Sequence, residues 1–180
     1  MAKRSRDALT GGSKDVNPQE FVITGTQTAP DAPTVIQQPL PIPRLPTKEG
    51  YNLVIEVLWV QFYNTTAVNT AGITTVGMSL TTNPQAPPNV ASQIADIRAL
   101  SIWFKQAFNP AVPQSLNLDC MYEDDLTDQA GHGILLATDN VFFVITSVGT
   151  GVANAGVCRF GYRFKEVKLV EYIGIVQSQQ

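Results

Sequence analysis

The sequence offers few side chains for catalysis, because it holds one histidine, His132. A Ser–His–Asp arrangement could be drawn with Asp128 or Asp139 as the acid. That chemistry also needs a serine held on a sharp strand-to-helix turn, and no Gly-x-Ser-x-Gly pattern occurs. Gly131 and Gly133 flank the histidine and indicate a turn. Since no glycine-rich phosphate loop occurs either, the sequence predicts a protein without catalytic activity.

A cluster of carboxylates is the second group that could do chemistry. Its five members fall within ten positions: Asp119, Glu123, Asp124, Asp125 and Asp128. Hard cations such as Ca²⁺ bind several oxygens from loops of this kind, although the spacing is not that of an EF-hand. The cluster is therefore either a solvated acidic loop or a place where a cation, or an arginine, neutralises a contact between subunits. Calcium at such a contact is the one ion that the sequence suggests, and no other cofactor is expected.

A row of basic residues near the end of the chain is the third group. The row consists of Arg159, Arg163, Lys165 and Lys168. Its first three members alternate with Cys158, Phe160, Tyr162 and Phe164. Alternation with a period of two predicts a strand with one face in the core and one basic face. The basic face could be solvated, could meet acids on a neighbouring strand such as Glu56, or could bind phosphates.

Residues 1–19 carry three further basic side chains near their start, Lys3, Arg4 and Arg6. The segment is polar and lacks periodicity, so we expect a mobile arm. Its basic residues could be part of a solvated terminus, a nuclear-import signal or a tether to phosphates. Because the whole chain has a net charge of −3, nucleic-acid binding would depend on local patches such as these.

The elements that position these groups are predicted to be strands. Residues 51–63 are the centre of the pattern, since they are rich in β-branched and aromatic residues and contain neither Gly nor Pro. Both alternate rows are mostly apolar, which predicts a long central strand covered on both faces; a buried helix is the alternative. Eight or nine strands, with at most one short helix near residues 90–99, predict an all-β fold. Long loops favour a single antiparallel jelly-roll sandwich over residues 20–180.

A proline-rich stretch, residues 30–46, precedes the central strand. Proline removes a backbone donor, so this stretch is predicted to be an extended connector and not part of a sheet. Its apolar residues suggest a strap that lies across a neighbouring surface; a peptide for a proline-binding domain is the other possibility. Cys120 and Cys158 match no metal-site spacing. The sequence shows no signal peptide or membrane span, which predicts synthesis in the cytosol.

Several stretches together resemble the short capsid proteins of circular single-stranded DNA viruses that encode a replication initiator, the CRESS-DNA viruses. The matching stretches, in order, are residues 7–12 (DALTGG), 15–19 (DVNPQ), 54–58 (VIEVL), 126–133 (LTDQAGHG), 137–140 (ATDN) and 171–180 (EYIGIVQSQQ). The resemblance implies a jelly-roll coat subunit that assembles into the smallest icosahedral shell, T=1, around circular single-stranded DNA. It implies a location in the virion, after synthesis in the host cytosol or nucleus. It implies no membrane partner, and it does not identify the host receptor.

This sequence departs from the family in its arm. Such coat proteins usually begin with a long arginine-rich segment, and here only residues 3–6 (KRSR) are basic in that way. More of any contact with DNA would therefore fall to the row on the strand. The alternative function is a β-sandwich module that binds a carbohydrate or a receptor. An exposed aromatic platform at Trp59 or Trp103 would favour that module, and large apolar edges would favour the coat subunit.

Overall fold

The computed structural model describes residues 18–41, 49–65, 67–68, 70–110, 116–117 and 120–179. Lys3, Arg4 and Arg6 of the predicted arm lie outside the described residues, as does Asp119. Within the described part the chain forms eleven strands and two helices. They are β1 (Gln19–Thr26), β2 (Thr34–Pro39), β3 (Tyr51–Asn64), β4 (Ala67–Val68), β5 (Gly72–Thr81), α1 (Val90–Ile94), β6 (Ala99–Asn109), β7 (Leu116–Asn117), β8 (Cys120–Asp125), β9 (Ile134–Leu136), β10 (Asn140–Val148), β11 (Ala155–Lys168) and α2 (Leu169–Ser178).

The strands form two main sheets that pack face to face. The first sheet has the order β1-β11-β3-β8, with β9 pairing β3 next to β8. The second sheet has the order β2-β10-β5-β6, and β4 and β7 form a separate two-stranded ribbon. Every strand pair is antiparallel. This is the all-β jelly-roll sandwich that the sequence predicts.

The predicted central strand is β3, the longest partner of β11. Its inner row begins as Ile55 and Val57 and then continues as Val60 and Phe62, which all belong to the core. The switch happens because Val57 pairs with Tyr162 while Trp59 pairs with Gly161, so Leu58 is an extra residue in the ladder. A bulge of this kind moves every later side chain to the opposite face. Glu56 and Trp59 consequently both point to the outer face of the first sheet.

The core lies between the sheets and is rich in aromatic side chains. Phe62 of the first sheet stacks on Phe143 of the second, with ring centroids 6.3 Å apart. Phe21 stacks on Phe160 at 5.5 Å. Fully burying a large apolar side chain contributes about 1.5–3 kcal/mol. These rings therefore supply much of the driving force that closes the sandwich.

The helix α1 covers part of the outer face of the second sheet. Asn89 caps it by accepting a hydrogen bond from the Ser92 backbone at 2.8 Å. The buried amide of Gln93 donates to Ser79 Oγ at 2.8 Å and to the Val144 carbonyl at 3.2 Å. One end of this outer face is thereby closed by the chain itself.

The proline-rich stretch corrects the prediction of an unpaired strap. Thr34–Pro39 is strand β2, which pairs with β10 at the edge of the second sheet, and Ile36 packs against the core. The Leu40 backbone donates to the Asp139 carbonyl at 2.8 Å. Because donors alternate in an antiparallel ladder, the Pro39 nitrogen then points away from β10, and its missing hydrogen costs no ladder bond. Residues 42–46 lie outside the described part.

The last element corrects the expectation of at most one short helix. Residues 169–178 form α2, whose first turn is capped by Glu171, which accepts from the Lys168 backbone at 3.2 Å. Just after the helix, the Gln179 amide donates to the Leu135 carbonyl at 2.6 Å and accepts from the Ala137 backbone at 3.1 Å. The helix is thus fastened beside β9. In the described part of the chain, no helix is long and apolar enough to cross a membrane.

Candidate nucleic-acid interface

The basic row lies on the outer face of the first sheet, as its alternation predicts. Cys158, Phe160 and Tyr162 are buried between the sheets, whereas Arg159 is exposed on the other side of β11. Burial raises the pKa of the Cys158 thiol well above its usual range, so it is an inert core group. The strand therefore separates apolar and basic side chains by its pleat.

Two members of the row are bound to one buried carboxylate, that of Glu56. Arg163 donates from Nε to Glu56 Oε2, and Lys165 Nζ lies 3.1 Å from Oε1. The Gly133 backbone also donates to Oε1, at 3.1 Å. The Glu56 side chain is fully buried, whereas Arg163 and Lys165 keep 25% and 34% of their side-chain surface exposed.

This arrangement shifts the acidity of both partners. Burial acts to raise the pKa of Glu56, but hydrogen bonds from Arg163 and Lys165 outweigh it and the pKa is lowered. The hydrogen bond to Glu56 raises the pKa of Arg163. Arg163 also donates from Nη2 to the Gly131 carbonyl at 3.0 Å, which ties the 126–133 turn to β11. Of the roles left open by the sequence, pairing with Glu56 is the one observed inside the subunit.

The two outer members of the row sit differently. Arg159 pairs with Glu20 of β1 at 2.6 Å, with about half of each side chain exposed. An exposed pair of this kind contributes about 0–1 kcal/mol and is easily exchanged for another anion. Lys168 is exposed immediately before α2. Contact of the row with phosphates remains a prediction, and Arg159 and Lys168 are its most accessible members.

The carboxylate cluster is dispersed over separate environments. Glu123 accepts from Gln61 at 2.7 Å, and Asp124 accepts from Ser101 at 2.8 Å. Asp125 accepts from the Thr127 hydroxyl, which together with the Thr127 backbone lowers its pKa. Among the described residues, no three His, Cys, Asp or Glu side chains are close enough to share a metal ion.

Asp128 organises the turn that contains the histidine. Its Oδ1 accepts from the backbones of Ala130 and His132 at 2.9 and 2.8 Å, and the His132 bond is the main reason that its pKa is lowered. His132 Nδ1 lies 3.4 Å from Asp128 Oδ2, on an exposed surface. His132 is thus a turn residue, as its flanking glycines predict.

Neither tryptophan forms an exposed aromatic platform. Trp103 is buried in the core. Trp59 is partly buried on the outer face of the first sheet, and its indole lies against Gly161, where a Cβ atom would overlap it. The stacking surface that a carbohydrate-binding module would use is absent at both positions.

Besides separate exposed residues such as Val22 and Met121, the described part of the chain exposes two apolar surfaces that the sequence interpretation missed. One lies on the outer face of the second sheet, at Ile73, Phe104, Phe108 and Val148. The other lies on α2, at Leu169, Val170 and Ile173. The signal available in the sequence was β6 itself, because Phe104 and Phe108 share one row and Trp103 belongs to the other.

Neither a protein-family model nor a curated protein matches this sequence. Similarity is found among solved structures. VP1 of trichodysplasia spinulosa-associated polyomavirus, in complex with GM1 oligosaccharide, has a TM-score of 0.52 at 9% identity, covering 87% of this chain and 96% of that one. The Merkel cell polyomavirus VP1 unassembled pentamer has a TM-score of 0.52 at 10% identity, covering 87% and 98%. The human polyomavirus 7 VP1 pentamer has a TM-score of 0.50 at 11% identity, covering 83% and 96%. At these identities the similarity shows a shared fold.

Proposed function

We propose that this chain is a viral coat subunit, a structural protein without catalytic activity that self-assembles into a small icosahedral shell. The jelly roll that it shares with VP1 capsid proteins supports this function, since the similarity spans nearly the whole of both chains. The human polyomavirus 7 and Merkel cell polyomavirus relatives are pentamers, which supports self-assembly here. The resemblance to CRESS-DNA capsid proteins adds the finer proposal of a T=1 shell around circular single-stranded DNA.

The observation that carries the proposal is the nature of the exposed surface. Fold alone does not fix function, and a β-sandwich module for carbohydrates or receptors could share it. Neither tryptophan supplies an exposed platform for such a module, since Trp103 is buried and Trp59 is packed against Gly161. The described residues expose Phe104 and Phe108 among aliphatic neighbours, and mixed apolar surfaces of this kind are typical of contacts between proteins.

Contact with DNA is proposed for both basic groups. Lys3, Arg4 and Arg6 are assigned to it from the sequence, together with the row Arg159, Arg163, Lys165 and Lys168. In the row, phosphates would have to compete with Glu56 for Arg163 and with Glu20 for Arg159. Many weak contacts repeated by symmetry would still hold a long strand firmly.

We also propose calcium at a contact between copies, and the only support for it is the grouping of the carboxylates in the sequence. Because the described members of the cluster face different partners within one subunit, a cation there would need oxygens from two copies. The mature location is the virion, after synthesis in the host cytosol or nucleus.

The decisive experiment is to purify the protein and measure particle mass by light scattering while imaging the same fractions by negative-stain microscopy. Closed shells of uniform diameter that protect single-stranded DNA from nuclease are the expected result. A protein that stays a single subunit at all concentrations and salts would reject the coat function. Shells that protect duplex DNA or RNA would reject the genome assignment only.

A further inference from the structure

Strand β6 presents its more apolar row to the outside of the sandwich. Trp103, in the inner row, belongs to the core, whereas Phe104 and Phe108 in the outer row are 55% and 66% exposed. Between positions 101 and 108 the other inner residues are Ser101, Lys105 and Ala107, and the other outer residues are Ile102 and Gln106; Leu100, at the start of the strand, packs against the core. A half-buried strand normally turns its apolar row to the core. The outer row of β6 therefore has the composition of a covered surface.

The exposed aromatic rings belong to a continuous surface across three strands, which we call the β6 patch: Ile73, Phe104, Phe108 and Val148. Ile73 pairs with Phe108 across β5 and β6, and Val148 pairs with Thr75 across β10 and β5. Ile73 is 62% exposed. The outward rows that contain these residues include Thr75, Gly77, Gln106 and Thr146 and no charged side chain. Since α1 closes the neighbouring part of this face, the β6 patch is the part that the described residues leave open.

Helix α2 has an apolar side that the subunit does not cover, which we call the α2 ridge: Leu169, Val170 and Ile173. These positions are neighbours on one helix surface, and Val170 is 81% exposed. On its other side α2 contacts β3, β9 and β11. The only charged residue between Leu169 and Ser178 is Glu171. Apolar residues on both sides of a helix indicate that both sides are buried in the functional state.

We propose that the α2 ridge of one copy docks on the β6 patch of the next copy. The inference deepens the proposed coat function and rests on it, because it names the surfaces through which subunits would join. Two different surfaces that meet head to tail form a ring when the rotation between successive copies closes, and an icosahedral shell has such rings at its rotation axes. Contact of one β6 patch with another would make a two-fold pair and leave the α2 ridge exposed.

Charge argues for a second copy as the occupant. The outward rows of the β6 patch and the three residues of the α2 ridge carry no charged side chain, so their contact would bury no unpaired charge. The β6 patch also offers phosphates no cation, which argues against nucleic acid as its partner.

Area argues in the same direction. A buried aromatic side chain covers about 150–250 Å², so the exposed parts of Phe104 and Phe108 alone provide on the order of 200 Å². With Ile73 and Val148 the β6 patch reaches on the order of 400 Å², within the roughly 300–600 Å² of the largest, often functional, patches on monomers. One partner in a standard-size interface contributes roughly 800 Å². A contact of about half that size is weak alone and suits a shell, in which symmetry repeats it.

A complementation experiment tests the pairing. Phe104→Thr with Phe108→Thr removes the β6 patch but keeps β-branched residues in the strand, and Val170→Gln with Ile173→Gln removes the α2 ridge but keeps good helix formers. Val22→Thr with Met121→Thr is the matched control, because these apolar residues are exposed on the outer face of the first sheet. If a double variant loses its near-ultraviolet circular dichroism, and with it the native packing, the single variant Phe108→Thr or Val170→Gln replaces it in the experiment.

Light scattering should show each double variant as a single subunit of 19.5 kDa. Because one contact is weak alone, the mean mass of an equimolar mixture should rise with protein concentration towards twice that mass, since the intact ridge of one variant meets the intact patch of the other and growth then stops. The control should assemble like the unchanged protein. Normal assembly by the α2 variant alone, or a mixture that stays monomeric, would overturn the pairing.

The same measurements separate this inference from the proposed function. Shells formed by both double variants would overturn the contact and leave the coat function standing. A discrete ring that needs both surfaces but never closes into a shell would overturn the coat function and retain the contact. A chain that never associates would overturn both.

Discussion

Arg163 donates a hydrogen bond from Nε to Glu56, a carboxylate that β3 turns to the outer face of the first sheet and that is fully buried there. Lys165 and the Gly133 backbone bind the second oxygen of the same carboxylate. The most protected part of the basic row therefore holds β3, β11 and the 126–133 turn together.

We expect Arg163→Gln to lower the free energy of unfolding by about 2 kcal/mol. Removing one partner of a buried charge leaves that charge poorly compensated, and the effect falls below the roughly 3–5 kcal/mol of a full break because Lys165 remains. Arg159→Gln is the matched control, because its partner Glu20 is half exposed and its loss should cost under about 1 kcal/mol. Urea unfolding measures both. Equal losses for the two variants would contradict a structural role for Glu56.

Acid should remove the contribution of Glu56. Its pKa in the folded protein lies below the ordinary value of 4.5, because the hydrogen bonds from Arg163 and Lys165 outweigh burial. The unfolded chain then takes up the proton at higher pH, so ionised Glu56 stabilises the fold above pH 4.5 and loses this effect as pH falls through the folded pKa. The difference in unfolding free energy between the unchanged protein and Glu56→Gln should shrink below pH 4.5. If the unfolding free energies of the two proteins keep a constant difference from pH 7 to pH 3, folding does not lower the pKa of Glu56. Glu20→Gln is the control, because its carboxylate is half exposed.

Gly25→Ala should destabilise the sandwich through β2. A Cβ at position 25 would lie 2.5 Å from Ile36 Cδ1 and 2.9 Å from its Cγ1, so the side chain must shift. Overpacking of this kind costs about 1–3 kcal/mol. Ile36→Val removes the closest atom and should recover part of the loss in the double variant.

Gly174→Ala is the control for this change, since nothing lies within 4 Å of a Cβ there and Ala favours the helix. Thermal unfolding should show opposite signs for the two alanine variants. An unchanged melting temperature for Gly25→Ala would mean that β2 does not pack as described.

A chelator should lower the melting temperature of assembled shells if calcium bridges the carboxylate clusters of two copies. Grouped carboxylates repel each other unless a cation neutralises them. Asp124→Asn and Asp125→Asn should abolish the response, and a magnesium add-back distinguishes the ions. Shells that melt at the same temperature with and without chelator, at matched ionic strength, would return the cluster to a solvated surface.

Replacing Lys3, Arg4 and Arg6 by Gln should reduce the DNA content of intact shells, because these three residues supply most of the positive charge of the arm. The logarithm of the binding constant for single-stranded DNA falls linearly with the logarithm of the salt concentration. Removing one phosphate-binding side chain should make that slope less negative by about 0.7. Absorbance ratios of purified particles measure the content. If Arg159→Gln lowers the ratio and the arm variant does not, the strand row is the main contact with DNA.

The fold class could be predicted from the strand pattern, but the face of each side chain could not. In β3, strict alternation places Ile55, Val57 and Trp59 in one row. The extra residue at Leu58 sends Trp59 outward and brings Val60 into the core instead. Alternation carries no information about a bulge, since the bulge depends on the geometry of the partner strand at Gly161.

Two further differences come from context beyond the local sequence. Pro39 argues against a strand, yet an edge strand accepts it because its nitrogen points away from β10. Conversely, residues 169–178 are short and apolar, and periodicity alone does not separate a helix from a strand at that length. The pairing of Arg163 with Glu56 was among the interpretations that the sequence left open, and the register of β11 on β3 places the two residues opposite each other.

The side chain of Gln179 acts as a substitute peptide group along the rim of the first sheet. It donates to the Leu135 carbonyl and accepts from the Ala137 amide, the two groups that an added strand would need. An exposed sheet edge is a template for edge-to-edge pairing with another chain, which lets ribbons grow. Occupying this rim with an amide from its own chain blocks that growth at β9 and removes one route to open-ended fibres.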